Sequence, residues 1–251
     1  MDIFFIGLIG LCIGSFLNIC IYRIIREESI VFPATHCITC GYEINWYDLI
    51  HVFSYAILGG NCRVCSNKIS LKYLVIQVLN AILYLIIFFN YGYSLEFLKC
   101  CVLASLLIVI GFIDYETKYV YNSTIMFGIA IGIVFLIIQS SLKHGLLWDN
   151  INGALIGFSI IYLIVIITKS MGEGDIWIAT LCGLFLGVKG VLVTIIISIV
   201  IGGITGIFII TFKLKSKKSK IAFGPYLAMG AIVSSIMCNE IINWYIEFLM
   251  Q

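Results

Sequence analysis

Two acids stand where an apolar chain would ordinarily carry none. Asp114 closes the run LLIVIGFIDYETKYV, and Asp175 lies in SMGEGDIWI, at the mouth of DIWIATLCGLFLG. An ionisable group in a span is costly and by default marks a functional position. Two carboxylates brought close cannot both ionise cheaply, so one keeps a proton while the other stays charged. Such a pair can activate water at one carboxylate while the other protonates or polarises a scissile carbonyl. Gly172 and Gly174 beside Asp175 would let an extended substrate backbone approach without a Cβ clash. Glu116 and Glu173 are secondary candidates, since nothing in their spacing favours them over the aspartates. The competing reading is structural. Asp175 could cap the helix that follows it, and Asp114 could pair with Lys118 one turn on. Two such acids, each in a patterned segment, weigh toward chemistry.

A second constellation is made of sulfur. CITC supplies Cys37 and Cys40, and CRVC supplies Cys62 and Cys65. Two CxxC pairs at this separation have the spacing of a four-thiolate zinc site, each pair presenting two sulfurs to one metal. The segment is too short for a hydrophobic core of its own, so a metal would supply its folding energy. The competing reading is two unlinked or redox-active pairs. Cys12, Cys20, Cys100, Cys101, Cys182 and Cys238 lie in apolar runs and read as small core residues. His36 and His51 flank the sulfurs, but four cysteines already fill a tetrahedron.

The elements that must hold these groups are membrane helices. Of 251 residues, 62% are hydrophobic and 11% charged, which is too little charge to cover a soluble surface. Long continuous apolar runs also exclude an outer-membrane barrel, whose segments are short and alternating. A span needs about 20 apolar residues. The candidates are Ile3–Ile25, Leu71–Phe89, Leu95–Ile113, Ser123–Gln139, Ile151–Thr168, the short run Ile176–Leu186, Val191–Phe212 and a last span within Ile221–Met250. The first run lacks a basic leading segment and a small-residue cleavage site, so it reads as a retained span. The expected fold is an all-α polytopic membrane protein with about eight transmembrane helices and a small zinc-binding segment, about residues 26–70. Residues 1–94 would form an N-terminal region carrying that segment, and residues 95–251 a six-helix catalytic domain.

Orientation follows from the basic residues of the loops. With the N-terminus outside, Arg23, Arg26, Arg63, Lys68, Lys72, Lys118, Lys169 and the run KLKSKKSK (Lys213–Lys220) all fall inside. Lys143 and Lys189 fall outside. Both termini are then outside, the cysteine segment is cytosolic, and both aspartates lie at cytosolic ends of spans.

These motifs converge on a family. The chain resembles the type IV prepilin peptidases, bacterial membrane aspartic proteases of the GxGD type. GSFLNICIYR (Gly14–Arg23) looks like the family's N-terminal signature, and the stretch WYDLIHVFSYAILGGNCRVC like its cytosolic zinc segment. IDYETKYVYN (Ile113–Asn122) matches its first aspartate segment, MGEGDIWI its GxGD segment, and FGPYLAMG (Phe223–Gly230) a further motif. The resemblance implies that Asp114 and Asp175 are the catalytic pair. It implies cleavage after a glycine in the short basic leader of type IV prepilins or pseudopilins, at the cytosolic face of the bacterial inner membrane. Many members also methylate the new N-terminal amine with S-adenosylmethionine, and the resemblance carries that expectation too. Glu27, Glu28 and Glu43 are candidates to receive the basic leader. Partners are then prepilins and the lipid bilayer, with no nucleic acid.

The chain departs from the family pattern at four positions. His51 stands where proline is usual, Gln77 where a glutamate follows the zinc segment, Trp177 where a lysine follows GxGD, and Tyr121 in place of a proline. Gln77 and Trp177 bear on methylation and substrate preference more than on proteolysis. Two other functions fit parts of the pattern. A membrane thiol oxidoreductase would use the CxxC pairs, but the charge asymmetry places them on a reducing side. An ion-coupled transporter would use the aspartates as a relay, but it leaves the cysteine segment unexplained.

Overall fold

The computed structural model describes residues 1–30, 40–42, 60–68, 70–142, 146–168, 171–212 and 222–250. His36, Cys37, Glu43, His51 and the basic run Lys213–Lys220 lie outside the described residues. The described residues form seven helices: α1 (Asp2–Ile25), α2 (Leu71–Tyr91), α3 (Leu95–Thr117), α4 (Asn122–Leu142), α5 (Leu146–Thr168), α6 (Glu173–Thr211) and α7 (Gly224–Leu249). All seven are long and apolar enough to cross a membrane. Their polarity is turned outward-in: Ile137, Ile167, Ile196 and Phe208 are exposed, whereas Asp114, Asp175, Asn80 and Gln77 are buried. Lipid accepts the first set, and only partners inside the fold can satisfy the second. This is a multi-pass membrane protein.

The eight expected apolar runs map onto these seven helices because two of them share one element. An unbroken α6 of 39 residues would be about 58 Å long, nearly twice the ~30 Å hydrocarbon thickness. It is interrupted at Gly187, whose φ of 72° and ψ of −173° leave the helical region. That backbone suits glycine, which has no Cβ penalty at positive φ. Asn150 of α5 donates its Nδ2–H to the Leu184 carbonyl at 2.8 Å, just before the break. The two pieces match the expected runs Ile176–Leu186 and Val191–Phe212.

The chain forms two compact units, Met1–Val109 and Ile110–Gln251. In the first, α1 and α2 run antiparallel in close contact. A Cβ on Gly10 would stand 2.7 Å from the Ala81 Cα, and one on Gly14 2.7 Å from the Gln77 Cα, so only glycine permits this approach. Neutral polar groups fix the register. Asn80 donates to the Gly10 carbonyl at 2.8 Å, and Asn18 to the Tyr73 carbonyl at 2.8 Å. Ser105 of α3 donates to Asn80 Oδ1 at 3.2 Å and shares a hydrogen bond of 2.9 Å with the Tyr84 hydroxyl.

In the second unit, Ile161 of α5 packs with Ile176, Ala179, Val191 and Ile195 of α6. Helix α7 lies against the second half of α6, where Ser234 donates to the Gly190 carbonyl at 2.8 Å. The packing on Ile176 and Ala179 holds the start of α6, the end that carries Asp175.

Candidate active site

Asp114 sits inside the last turn of α3. The sequence places the end of that span at Ile113, but the helix continues to Thr117 because its end is well capped. Lys118 takes a left-handed backbone, φ 55°, and donates its N–H to the Asp114 carbonyl at 2.8 Å. The Thr117 hydroxyl donates to the Ile113 carbonyl at 2.8 Å and also accepts from the Tyr119 N–H at 3.2 Å. Lys118 is exposed, and among the described residues no ion pair joins it to Asp114.

The carboxylate of Asp114 turns instead to the start of α7. Its Oδ2 accepts the Gly224 N–H at 2.9 Å, across 110 positions of chain. The first N–H groups of a helix have no partner within it. At α7 the next residue, Pro225, has no N–H, and the Tyr226 and Leu227 N–H groups reach the Phe223 carbonyl. Asp114 therefore satisfies the one outward-pointing donor. Gly224 is required for this approach: a Cβ there would stand 2.5 Å from Asp114 Oδ2.

Asp175 is held in a parallel way. It lies in the first turn of α6, and its Oδ2 accepts the Gly172 N–H at 3.1 Å while its own N–H donates to the Gly172 carbonyl at 3.1 Å. This is the side-chain half of a capping box, with the acid three residues into the helix rather than at the cap itself. Both aspartates are only 4% exposed. Each uses Oδ2 to hold a glycine N–H at the positive end of a helix, where an anion is favoured.

The two acids belong to one place. Ile178, one turn after Asp175, also approaches Gly224: its Cδ1 would stand 3.1 Å from a Cβ there. Val120, six residues after Asp114, packs on Gly174, the neighbour of Asp175. Glu116 and Glu173, by contrast, are exposed. Gly172 is exposed, and a Cβ on it would meet nothing nearer than Asp175 Oδ2 at 3.8 Å. Gly224 was legible only as part of FGPYLAMG; its Gly-Pro start signals a helix entry, but no local pattern links it to Asp114.

The cysteine group lies in the first unit. The Sγ atoms of Cys40, Cys62 and Cys65 fall within 4.8 Å of one another. Sulfurs around tetrahedral zinc, at ~2.3 Å from the metal, stand roughly 3.8 Å apart, so these three fit a common ion with modest tightening. The knuckle is built by the backbone: the Cys62 N–H donates to the Asn67 carbonyl at 2.8 Å, the Ser66 N–H to the Cys62 carbonyl at 3.0 Å, and Asn61 pairs with Lys68 in an antiparallel bridge. Before it, the buried Arg23 anchors the chain leaving α1 by donating to the Ser29 and Ile30 carbonyls, each at 2.9 Å. Glu27, with φ 58°, and Glu28 belong to that same turn. Of the departures from pattern, Gln77 is fully buried under α1, while Trp177 is 45% exposed and packs edge-on against Phe158.

Fold and site together define a multi-pass helical membrane protein with a buried carboxylate pair at converging helix ends. Comparison with known proteins narrows this. Residues 8–91 match the bacterial peptidase A24 N-terminal domain, and residues 101–207 match the type IV leader peptidase family. Among similar proteins are prepilin leader peptidase/N-methyltransferases of three organisms. That of Pseudomonas putida is 26% identical over 93% of this chain and 90% of its own. That of Neisseria gonorrhoeae is 28% identical over 96% and 93%, and that of Bacillus subtilis (strain 168) is 29% identical over 95% of each. No solved structure gives a significant match. The chain belongs to the type IV leader peptidase family.

Proposed function

We propose that this protein is a membrane aspartic endopeptidase that removes the basic leader from type IV prepilins or pseudopilins. The observation that carries this reading is the pair of buried aspartates, each tied to a glycine N–H at a helix start. With Oδ2 of each acid engaged, the Oδ1 atoms are left for water and substrate. Two neighbouring carboxyls hold one proton between them. The ionised one takes a proton from water as it attacks the scissile carbonyl. The protonated one donates to the carbonyl oxygen, giving a neutral tetrahedral diol. Collapse returns a proton to the leaving amine and frees the leader carboxylate. Burial keeps these charges in a medium where each hydrogen bond counts for more than in water. The exposed face at Gly172 suits an extended substrate strand.

The excess of basic residues in the loops on one side supports a cytosolic position for this centre, where the leader of a membrane-inserted prepilin would lie. Glu27 and Glu28 would attract that leader. Zinc would be held by Cys40, Cys62 and Cys65 with Cys37 as the fourth thiolate, and its role would be to fold the segment rather than to act in cleavage. The names of the relatives support a second reaction, N-methylation of the new amine with S-adenosylmethionine as donor. That group would supply the methyl when bound. The test is to incubate the purified protein in detergent with a prepilin and weigh the product. Loss of the leader after its terminal glycine is the expected result, with one methyl group more when the donor is added. An intact substrate, or cleavage elsewhere, would contradict the reading.

A further inference from the structure

The second glycine of the Gly172-Glu173-Gly174-Asp175 segment has a neighbour already in place. A Cβ on Gly174 would stand 2.6 Å from both Cβ and Cγ2 of Val120. Real side chains do not approach that closely, so the missing side chain of Gly174 is the space that Val120 fills. Gly172, two residues earlier, is in the opposite situation: it is exposed, and a Cβ there would make only ordinary contact, 3.8 Å from Asp175 Oδ2.

Val120 is not a loose contact. It follows a turn bound on every side to the helix end that carries Asp114. The Lys118 N–H is on the Asp114 carbonyl, and the Thr117 hydroxyl joins the Ile113 carbonyl to the Tyr119 backbone through bonds of 2.8, 3.1 and 3.2 Å. The Tyr119 and Tyr121 rings meet edge to face at 5.2 Å, with Val120 between them in sequence. A displacement of Val120 is therefore passed to the turn of Asp114. On the other side, Gly174 precedes Asp175 in the first turn of α6, so a displacement of Gly174 moves Asp175.

We propose that Val120 is a positioning residue, a wedge seated on Gly174 that sets the separation of Asp114 and Asp175. The proposal rests on these two acids forming the peptidase centre. The wedge touches neither substrate nor water. It acts through the two backbones, and its correct size is the one that fills Gly174 without pushing α6 away.

The test is a double-substitution cycle on the full-length protein, with cleavage of a prepilin read as kcat and KM separately. Gly174→Ala adds one methyl against Val120 and should lower kcat roughly 100-fold, the scale of an ångström-sized misplacement, with KM little changed. Val120→Gly empties the space, including the Val120 Cβ that stands 2.6 Å from the Gly174 Cβ position, and should lower kcat less, about tenfold. Gly174→Ala with Val120→Gly puts the methyl on the other side of the same contact, so the double variant should exceed both singles. If Gly174→Ala does not accumulate, Val120→Gly against the double variant decides alone. A double variant slower than Val120→Gly, or a Gly174→Ala protein with wild-type kcat, overturns the proposal. A raised KM at unchanged kcat in Gly174→Ala also overturns it, because Gly174 would then be meeting substrate. A wild-type protein that cuts no prepilin overturns instead the peptidase reading beneath it.

Discussion

Both compact units bury neutral polar groups, but among the described residues only the second buries acids. In Met1–Val109 the buried partners are mostly neutral: Asn18, Asn80, Ser105 and Tyr84 hydrogen-bond across α1, α2 and α3. In Ile110–Gln251 two buried acids, Asp114 and Asp175, each hold a single backbone N–H. Neutral amides and hydroxyls can hold helices together in lipid at modest cost, because both ends of each bond are satisfied. A carboxylate there costs more and returns less as an adhesive. The chemical type of a buried polar group thus separates assembly from catalysis better than burial does.

That contrast can be broken by substitution. Among changes that leave both aspartates in place, a loss of cleavage as large as that of Gly174→Ala is expected from Gly224→Ala. The added Cβ would collide with Asp114 Oδ2, and kcat should fall about 100-fold while the protein still accumulates. If cleavage survives, the Gly224 contact does not place Asp114. Next in size is Cys40→Ser, which removes one of three clustered sulfurs. Bound zinc per chain and protein level should fall severalfold, while the rate per folded molecule stays near wild type. Unchanged metal content would remove the cysteine group from the account. Asn80→Ala should be smaller still. It breaks the bonds to Gly10 and Ser105, and unfolding in detergent should become easier by about 1 kcal/mol, with kcat unaltered. A drop in kcat without loss of stability would erase the distinction between the two kinds of buried group. Asn150→Ala frees the Leu184 carbonyl near the α6 break and should cost under ~1 kcal/mol.

What the sequence made legible follows from the range of each signal. Apolar runs report spans directly, because lipid selects residue by residue; α1 and α2 lie within two residues of the expected ends. The CxxC spacing brought out Cys40, Cys62 and Cys65 because a metal knuckle is a local structure. Gly187 was readable as a break between two runs, since a glycine turn is local too. The Asp114–Gly224 bond was not readable. It joins residues 110 apart, and an unpaired helix donor leaves no pattern at its distant acceptor. Asn80 and Asn18 were passed over for the same reason, as single polar residues within apolar runs. Gly174 was visible, but its neighbour Val120 was not. A small residue announces a close approach without saying by what.

The account's central claim is that Asp114 and Asp175 work as one unit. The direct measurement is single-turnover cleavage of a prepilin by wild type, Asp114→Asn, Asp175→Asn and the double Asn variant, at matched amounts and with helical content verified. Asparagine keeps the size and can still accept the glycine N–H, but it cannot share the proton. The account predicts that each single variant loses cleavage as completely as the double variant. Substantial cleavage by either single variant, in a folded protein, would contradict it.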